Sequence, residues 1–142
     1  MEEWNENSEK VNKVRQDFEK ARGLLNLATL RENKLSSFQL PSETTLLVEA
    51  DYEIIKELIT ALMSVDGWKT VSHELLVSYL AKHYSEFLTQ EIILIDQLRQ
   101  IRNDIAYRGI MIKPEYLERN QQAILAIISK LKNTLNQKLT KN

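Results

Sequence analysis

The stretch Ile92-Ile93-Leu94-Ile95-Asp96-Gln97-Leu98-Arg99-Gln100-Ile101-Arg102-Asn103-Asp104-Ile105-Ala106-Tyr107-Arg108-Gly109 begins as a strongly apolar run and ends densely polar. Its aliphatic start would suit a strand, but the run is too long and too polar at its end for a buried one. On a helical wheel Leu94, Leu98, Ile101 and Ile105 fall together as a core stripe. Asp96, Arg99, Asn103 and Tyr107 fall together on nearly the opposite side. Arg102 lies on the flank, close in angle to Ile95 and Leu98. An Arg there either snorkels to water or is held by a carboxylate, for instance Asp104 or Glu118. The spacing predicts a helix from about Thr89, stopped by Gly109 in a left-handed cap.

Outward from this segment the pattern stays helical. Pro114 is a favoured first helical position with Glu115 in the first turn, and Leu117, Ile124, Ile128, Leu131 and Leu135 form the seam of a fifth helix. Upstream, Ser72 suits the N-cap of a short third helix. Val71 and Leu76 have the spacing of a hydrophobic staple, and Leu76, Tyr79 and Leu80 lie on the apolar face. A second helix, with Ser42 as its expected N-cap, carries Leu46, Leu47, Ala50, Ile54, Ile55, Leu58, Ile59, Leu62 and Met63 and ends at Asp66-Gly67. A first helix is expected from about Ser8 to Leu35, with Val11, Val14, Phe18, Ala21, Leu25 and Ala28 at alternating steps of three and four. Leu40-Pro41-Ser42 breaks the chain after it.

The whole chain has 3 glycines and 2 prolines, which favours long helices over strands joined by tight turns. No strand candidate of any strength stands out, nor any internal repeat or low-complexity segment. The fold class expected is all-α: an up-and-down helical bundle of four long helices plus one short crossover helix, with 1–142 as a single domain.

Composition narrows the class of function. A chain of 142 residues with 43% hydrophobic and 27% charged residues has the material for a real core. With 0 cysteines it has no disulfide framework and no thiolate ligand or nucleophile. No apolar run approaches the roughly 20 residues of a membrane span, and the acidic start Met1-Glu2-Glu3-Trp4-Asn5-Glu6 lacks a signal-peptide core, so the cytoplasm is the expected location. The net charge is −1, unevenly spread. Residues 1–66 carry 8 Lys/Arg against 13 Asp/Glu, and residues 67–142 carry 11 against 7. The basic second half either marks an anionic partner or complements the negative end of the last helix's own macrodipole.

The run Arg102–Gly109, the order of long helices and the segment Gly67-Trp68-Lys69-Thr70-Val71-Ser72-His73-Glu74 before the short helix together resemble the HEPN family, the higher eukaryote and prokaryote nucleotide-binding domain. The signature of that family is an Arg, four to six spacers and a His. Arg102 takes the Arg position, Asn103 is the polar neighbour common in the motif, and Tyr107 stands where the His belongs. The resemblance implies metal-independent RNA cleavage, with two protomers pairing so that Arg and His side chains face one composite cleft. It also implies a homodimer, no cofactor, and a minimal nucleotidyltransferase as partner in a toxin–antitoxin pair. A guanidinium forks onto phosphate oxygens, and an imidazole moves protons near neutrality. Tyrosine, with a reference pKa near 10, is ionised in about one molecule in a thousand at neutral pH and is a poor general base.

The expected site therefore has Arg102 and Tyr107 in the catalytic positions and Arg99, Asn103, Asp104, Arg108 and His73 as ligand-binding residues. Two histidines and no clustered carboxylates offer no metal site. Trp68 is expected to anchor the connection after Gly67. Binding of nucleotide, RNA or a nucleotidyltransferase with weak or no ribonuclease activity is the first reading. An active endoribonuclease toxin, with Tyr107, His73 or a partner residue replacing the missing His, is the second. A helical scaffold whose Arg102 is locked by an intrachain carboxylate is the third.

Overall fold

The computed structural model describes residues 1–141. In chain order it contains β1 (Val11–Lys13), α1 (Phe18–Asn33), a 3-10 turn (Leu35–Ser37), α2 (Thr44–Asp66), β2 (Trp68–Thr70), α3 (His73–His83), α4 (Thr89–Arg108) and α5 (Pro114–Thr140). The molecule is mostly helical, with one two-stranded sheet.

Helix α2 is central. It packs on α1, α3, α4 and α5. Ile54, Ile55, Leu58, Ile59, Ala61, Leu62, Met63 and Val65 bury it around nearly its whole circumference, as expected of a helix that is apolar on more than one face. Each fully buried Leu or Ile stabilises the fold by roughly 1.5–3 kcal/mol relative to exposure. Helix α5 lies along it with the expected seam of Leu117, Ile124, Ile128, Leu131 and Leu135 buried.

The first helix is shorter than its periodicity suggests. Asp17 caps it, accepting from Lys20 N at 2.9 Å, and its own N–H donates to Ser64 O at 2.9 Å. The preceding residues instead form an antiparallel pair with β2, with Val11 opposite Thr70 and Lys13 opposite Trp68. Val11 is buried as a strand residue, which is why three-and-four spacing alone misassigned it. Gly67 makes this return possible. Its φ of 85° closes α2, and its carbonyl accepts from Val14 N at 2.9 Å. The strand pair was not visible in local sequence because each half is three residues long and their partner is remote.

Two other local expectations are corrected. The N-cap position of α2 is Glu43, not Ser42. The Glu43 carboxylate accepts from Gln39 N, while Ser42 Oγ donates to Gln39 O. Val71 is 87% exposed and does not staple to Leu76. Ser72 does cap α3, accepting from Leu75 N at 3.2 Å. Trp68 meets Trp4 edge-on at 5.7 Å and carries Lys13 Nζ over its ring at 4.4 Å, in keeping with an anchoring role.

The end of α2 is held by Asp66. Its carboxylate accepts from the hydroxyls of Tyr79 and Tyr84, both buried, and pairs with Lys138 Nζ at 3.2 Å. One side chain thus ties α2 to α3 and α5. Burial and the adjacent Asp66 carboxylate push both phenols far above their usual range.

Candidate functional site

Helix α4 is rotated from the orientation expected for it. The residues it buries are Ile92, Ile95 and Leu98, while Leu94, Ile101 and Ile105 are only half-buried. The wheel weighted all apolar positions equally, whereas packing against α2 and α3 selects the stripe centred on Ile95. One turn further on, the same inward face carries Arg99 and Arg102. Arg102 keeps the angle close to Ile95 and Leu98 that the wheel gives it, and because that stripe is the one turned inward it faces the cleft beside Arg99 and Asn103.

The result is a cleft of about 370 Å³ where α4 passes the start of α3. His73, Glu74, Arg99, Arg102, Asn103 and Tyr107 line it, with the Val71-Ser72 turn on the other wall. Five of the seven expected residues are thus brought together. The other two are not. Arg108 and Asp104 form an exposed pair at 3.7 Å outside the lining, and Asp104 O also accepts from Ile110 N in the cap around Gly109.

The two inward arginines differ in how tightly they are held. Arg99 is 13% exposed and fully engaged, with Nε on Asp96 Oδ1 at 2.8 Å and Nη2 on Glu74 Oε2 at 3.5 Å. Arg102 is 27% exposed, and its nearest carboxylate oxygen is Glu53 Oε1 at 3.9 Å from Nε, beyond hydrogen-bond reach. Among the described residues its side chain makes no hydrogen bond. Neither Asp104 nor Glu118, the partners expected from sequence, holds it. Glu53 itself pairs with Lys56 at 2.8 Å.

His73 stands at the first position of α3 with its ring 6.2 Å from that of buried Tyr52. Burial holds its imidazole below the usual value, and Lys56, Arg102 and Arg99 add to this, against an opposing contribution from Glu53. It is therefore a neutral ring at neutral pH, able to accept or donate one hydrogen bond per nitrogen. Burial pushes the Tyr52 phenol up to about 12, so it stays protonated. His83 belongs elsewhere, stacked on Tyr79 at 4.5 Å.

Tyr107 is 80% exposed at the edge of the cleft, with its ring presented to solvent. Sequence reading missed Glu53, Lys56, Tyr52 and Glu74. The available signal was Glu53 and Lys56 about one turn apart in α2. Among the described residues no three His, Asp or Glu side chains converge as a metal site, and no helix is long and apolar enough to cross a membrane.

No family model, curated protein or solved structure matches the chain. The chemistry of the cleft has to be judged from its own side chains.

Proposed function

We propose that the chain is a HEPN-like protein that binds an anionic partner through the cleft at the end of α4. That partner is a nucleotide or RNA, or an acidic surface of a nucleotidyltransferase, and ribonuclease activity is weak or absent. The four long helices are taken as an up-and-down bundle with α3 as the crossover, working as a cytoplasmic homodimer. The observation that carries this reading is Arg102. It is partly buried, it faces the cleft beside Asn103 and His73, and its nearest carboxylate is 3.9 Å away. A guanidinium with unspent donors in a concave site is suited to phosphate oxygens. Tyr107 gives that site no proton-moving group of the usual kind.

A second reading, metal-independent cleavage of RNA, is favoured by one feature. His73 lines the same cleft as Arg102, and its lowered pKa leaves it neutral and able to accept a proton.

Titration calorimetry with UMP on wild type and Arg102→Ala tests the binding reading. Binding that is lost in the variant is expected, and equal binding by both proteins overturns it. Incubation with RNA in excess EDTA, with Arg102→Ala and His73→Ala as controls, tests the second. Cutting that disappears in both variants replaces the binding-only reading. A monomer at high concentration in sedimentation removes the homodimer.

A further inference from the structure

A second cleft, of about 490 Å³, lies where the starts of α2 and α5 meet beside Leu40-Pro41. It shares no lining residue with the cleft at the end of α4. Leu40, Pro41, Leu47, Pro114 and Leu117 make most of its wall, and its size is that of a small-molecule site. Thr44 and Leu47 on α2, and Pro114, Leu117 and Gln121 on α5, recur at helical spacing and form two facing stripes. Asp51 continues the α2 stripe one turn past Leu47 and lies beside Gln121. Toward the core the apolar walls therefore give way to a polar pair.

That pair is short of donors. Asp51 is fully buried with no partner on either carboxylate oxygen, and Gln121 Oε1 is buried and unpartnered too. Such groups cost stability unless something donates to them. The cleft offers little help of its own. Thr44 Oγ1 is spent on Pro41 O at 2.8 Å. Among the described residues no Lys, Arg or His lines the cleft, and exposed Glu118 is its one charged residue. Glu43 and Glu115 already answer the positive ends of α2 and α5. Burial raises the Asp51 carboxyl to about 7, so it ionises at neutral pH once a cation stands near it. The last torsion of a glutamine is soft. Turning the Gln121 amide over presents its N–H groups to Asp51 and its oxygen to the cleft. The result is an acceptor with a carboxylate behind it, at the end of an apolar channel. A cationic donor on an apolar body fits that arrangement. An anion would meet Asp51 and Glu118, and a neutral molecule would leave the Asp51 charge unbalanced.

We propose that this cleft binds a small primary amine with an aliphatic or aromatic body, its ammonium donating to Gln121 Oε1 and its charge balanced by Asp51. The site is separate from the Arg102 cleft and does not depend on what binds there.

Titration calorimetry with phenethylamine at neutral pH tests the site, with phenethyl alcohol and hydrocinnamate as probes of similar shape but neutral and anionic head. The amine is expected to bind at least tenfold more tightly than the alcohol, and hydrocinnamate is expected to bind least. Asp51→Asn removes the balancing charge and should weaken the amine fivefold or more while leaving the alcohol unchanged. Leu40→Arg places a cation in the wall of the cleft and should also weaken the amine fivefold or more. Leu40 is 58% exposed, so this variant keeps the test valid if Asp51→Asn misfolds, and circular dichroism verifies folding of both. Amine binding no tighter than that of the alcohol overturns the proposal. So does tighter binding of hydrocinnamate, an amine affinity unmoved in either folded variant, or no binding of any probe. The Arg102 cleft stands or falls separately, on UMP.

Discussion

The Asp51 carboxylate lies fully buried beside the side-chain amide of Gln121. Asp51 Oδ1 and Oδ2 and Gln121 Oε1 are all buried and have no hydrogen-bond partner among the described residues. Asp51 belongs to α2 and Gln121 to α5, so the contact lies at the main interface of the core. From α5, Tyr116 also feels this carboxylate, and from α4, Gln97 accepts from the Tyr116 hydroxyl at 3.0 Å. No cation compensates the charge. Burial raises the carboxyl from 3.8 to about 7, with Gln121 pulling the other way. A proton on Asp51 removes the uncompensated buried charge and turns one acceptor oxygen into a donor.

The sign of the pH effect follows from this raised value. The unfolded chain gives up the Asp51 proton near 3.8, whereas the folded chain keeps it to about 7. The contribution is fully present below the unfolded value and is lost as the pH climbs to about 7, amounting to on the order of 4 kcal/mol. Asp51→Asn supplies a permanent donor. The difference in urea stability between variant and wild type should be small near pH 4 and grow in the variant's favour up to pH 7–8. A difference that stays constant across that range would show Asp51 to be ionised throughout.

Gly67→Ala should destabilise the fold by about 2 kcal/mol. The backbone is left-handed there, and an added Cβ would lie 2.9 Å from Val14 O, the atom bearing the chain back toward β1. The measurement is the denaturant midpoint. Gly109→Ala, with a similar φ but open space around its Cβ position, should cost less, and an equal loss at both sites would remove the steric part of the argument.

Asp66→Ala should cost roughly 2–5 kcal/mol, because two buried phenols lose their acceptor. Asp66→Asn keeps one oxygen and should fall in between. Thermal melts of the two variants check the order, and an alanine variant as stable as the asparagine one contradicts it.

Glu53→Gln should strengthen UMP binding, by up to about fivefold, since a partly exposed ion pair is worth about 1 kcal/mol or less. The change removes the carboxylate facing Arg102 and paired with Lys56. Calorimetry reads it directly. Weaker binding in the variant would mean that Glu53 positions Arg102 rather than competing for it.

Binding should also strengthen as the pH falls, but only below the ordinary imidazole range near 6.5, because the His73 value is depressed. His73→Gln should flatten that profile. An unchanged profile would assign the titration to another group.

The helices of this protein are written locally. Gly67, Gly109, Pro114 and Ser72 mark their ends as local chemistry requires, and the apolar seam of α5 is legible from its spacing because only one of its faces is apolar. Two short strands and the true start of α1 were not legible, since Val11-Asn12-Lys13 acquires its partner only when Trp68-Lys69-Thr70 is brought alongside. The candidate residues at 99, 102, 103 and 107 could be named from sequence as polar groups at the end of an apolar helix.

Tertiary structure alone decided that Arg102 faces inward with Arg99, that Glu53 and Lys56 of α2 stand beside it, and that His73 shares its cleft. The physical reason is that local sequence fixes periodicity, but the rotation of a helix about its axis is set by the surface it packs on. For α4 the stripe of Leu94, Leu98, Ile101 and Ile105 was the one legible from spacing. Contact with α2 and α3 turned the helix so that Ile92, Ile95 and Leu98 are buried instead.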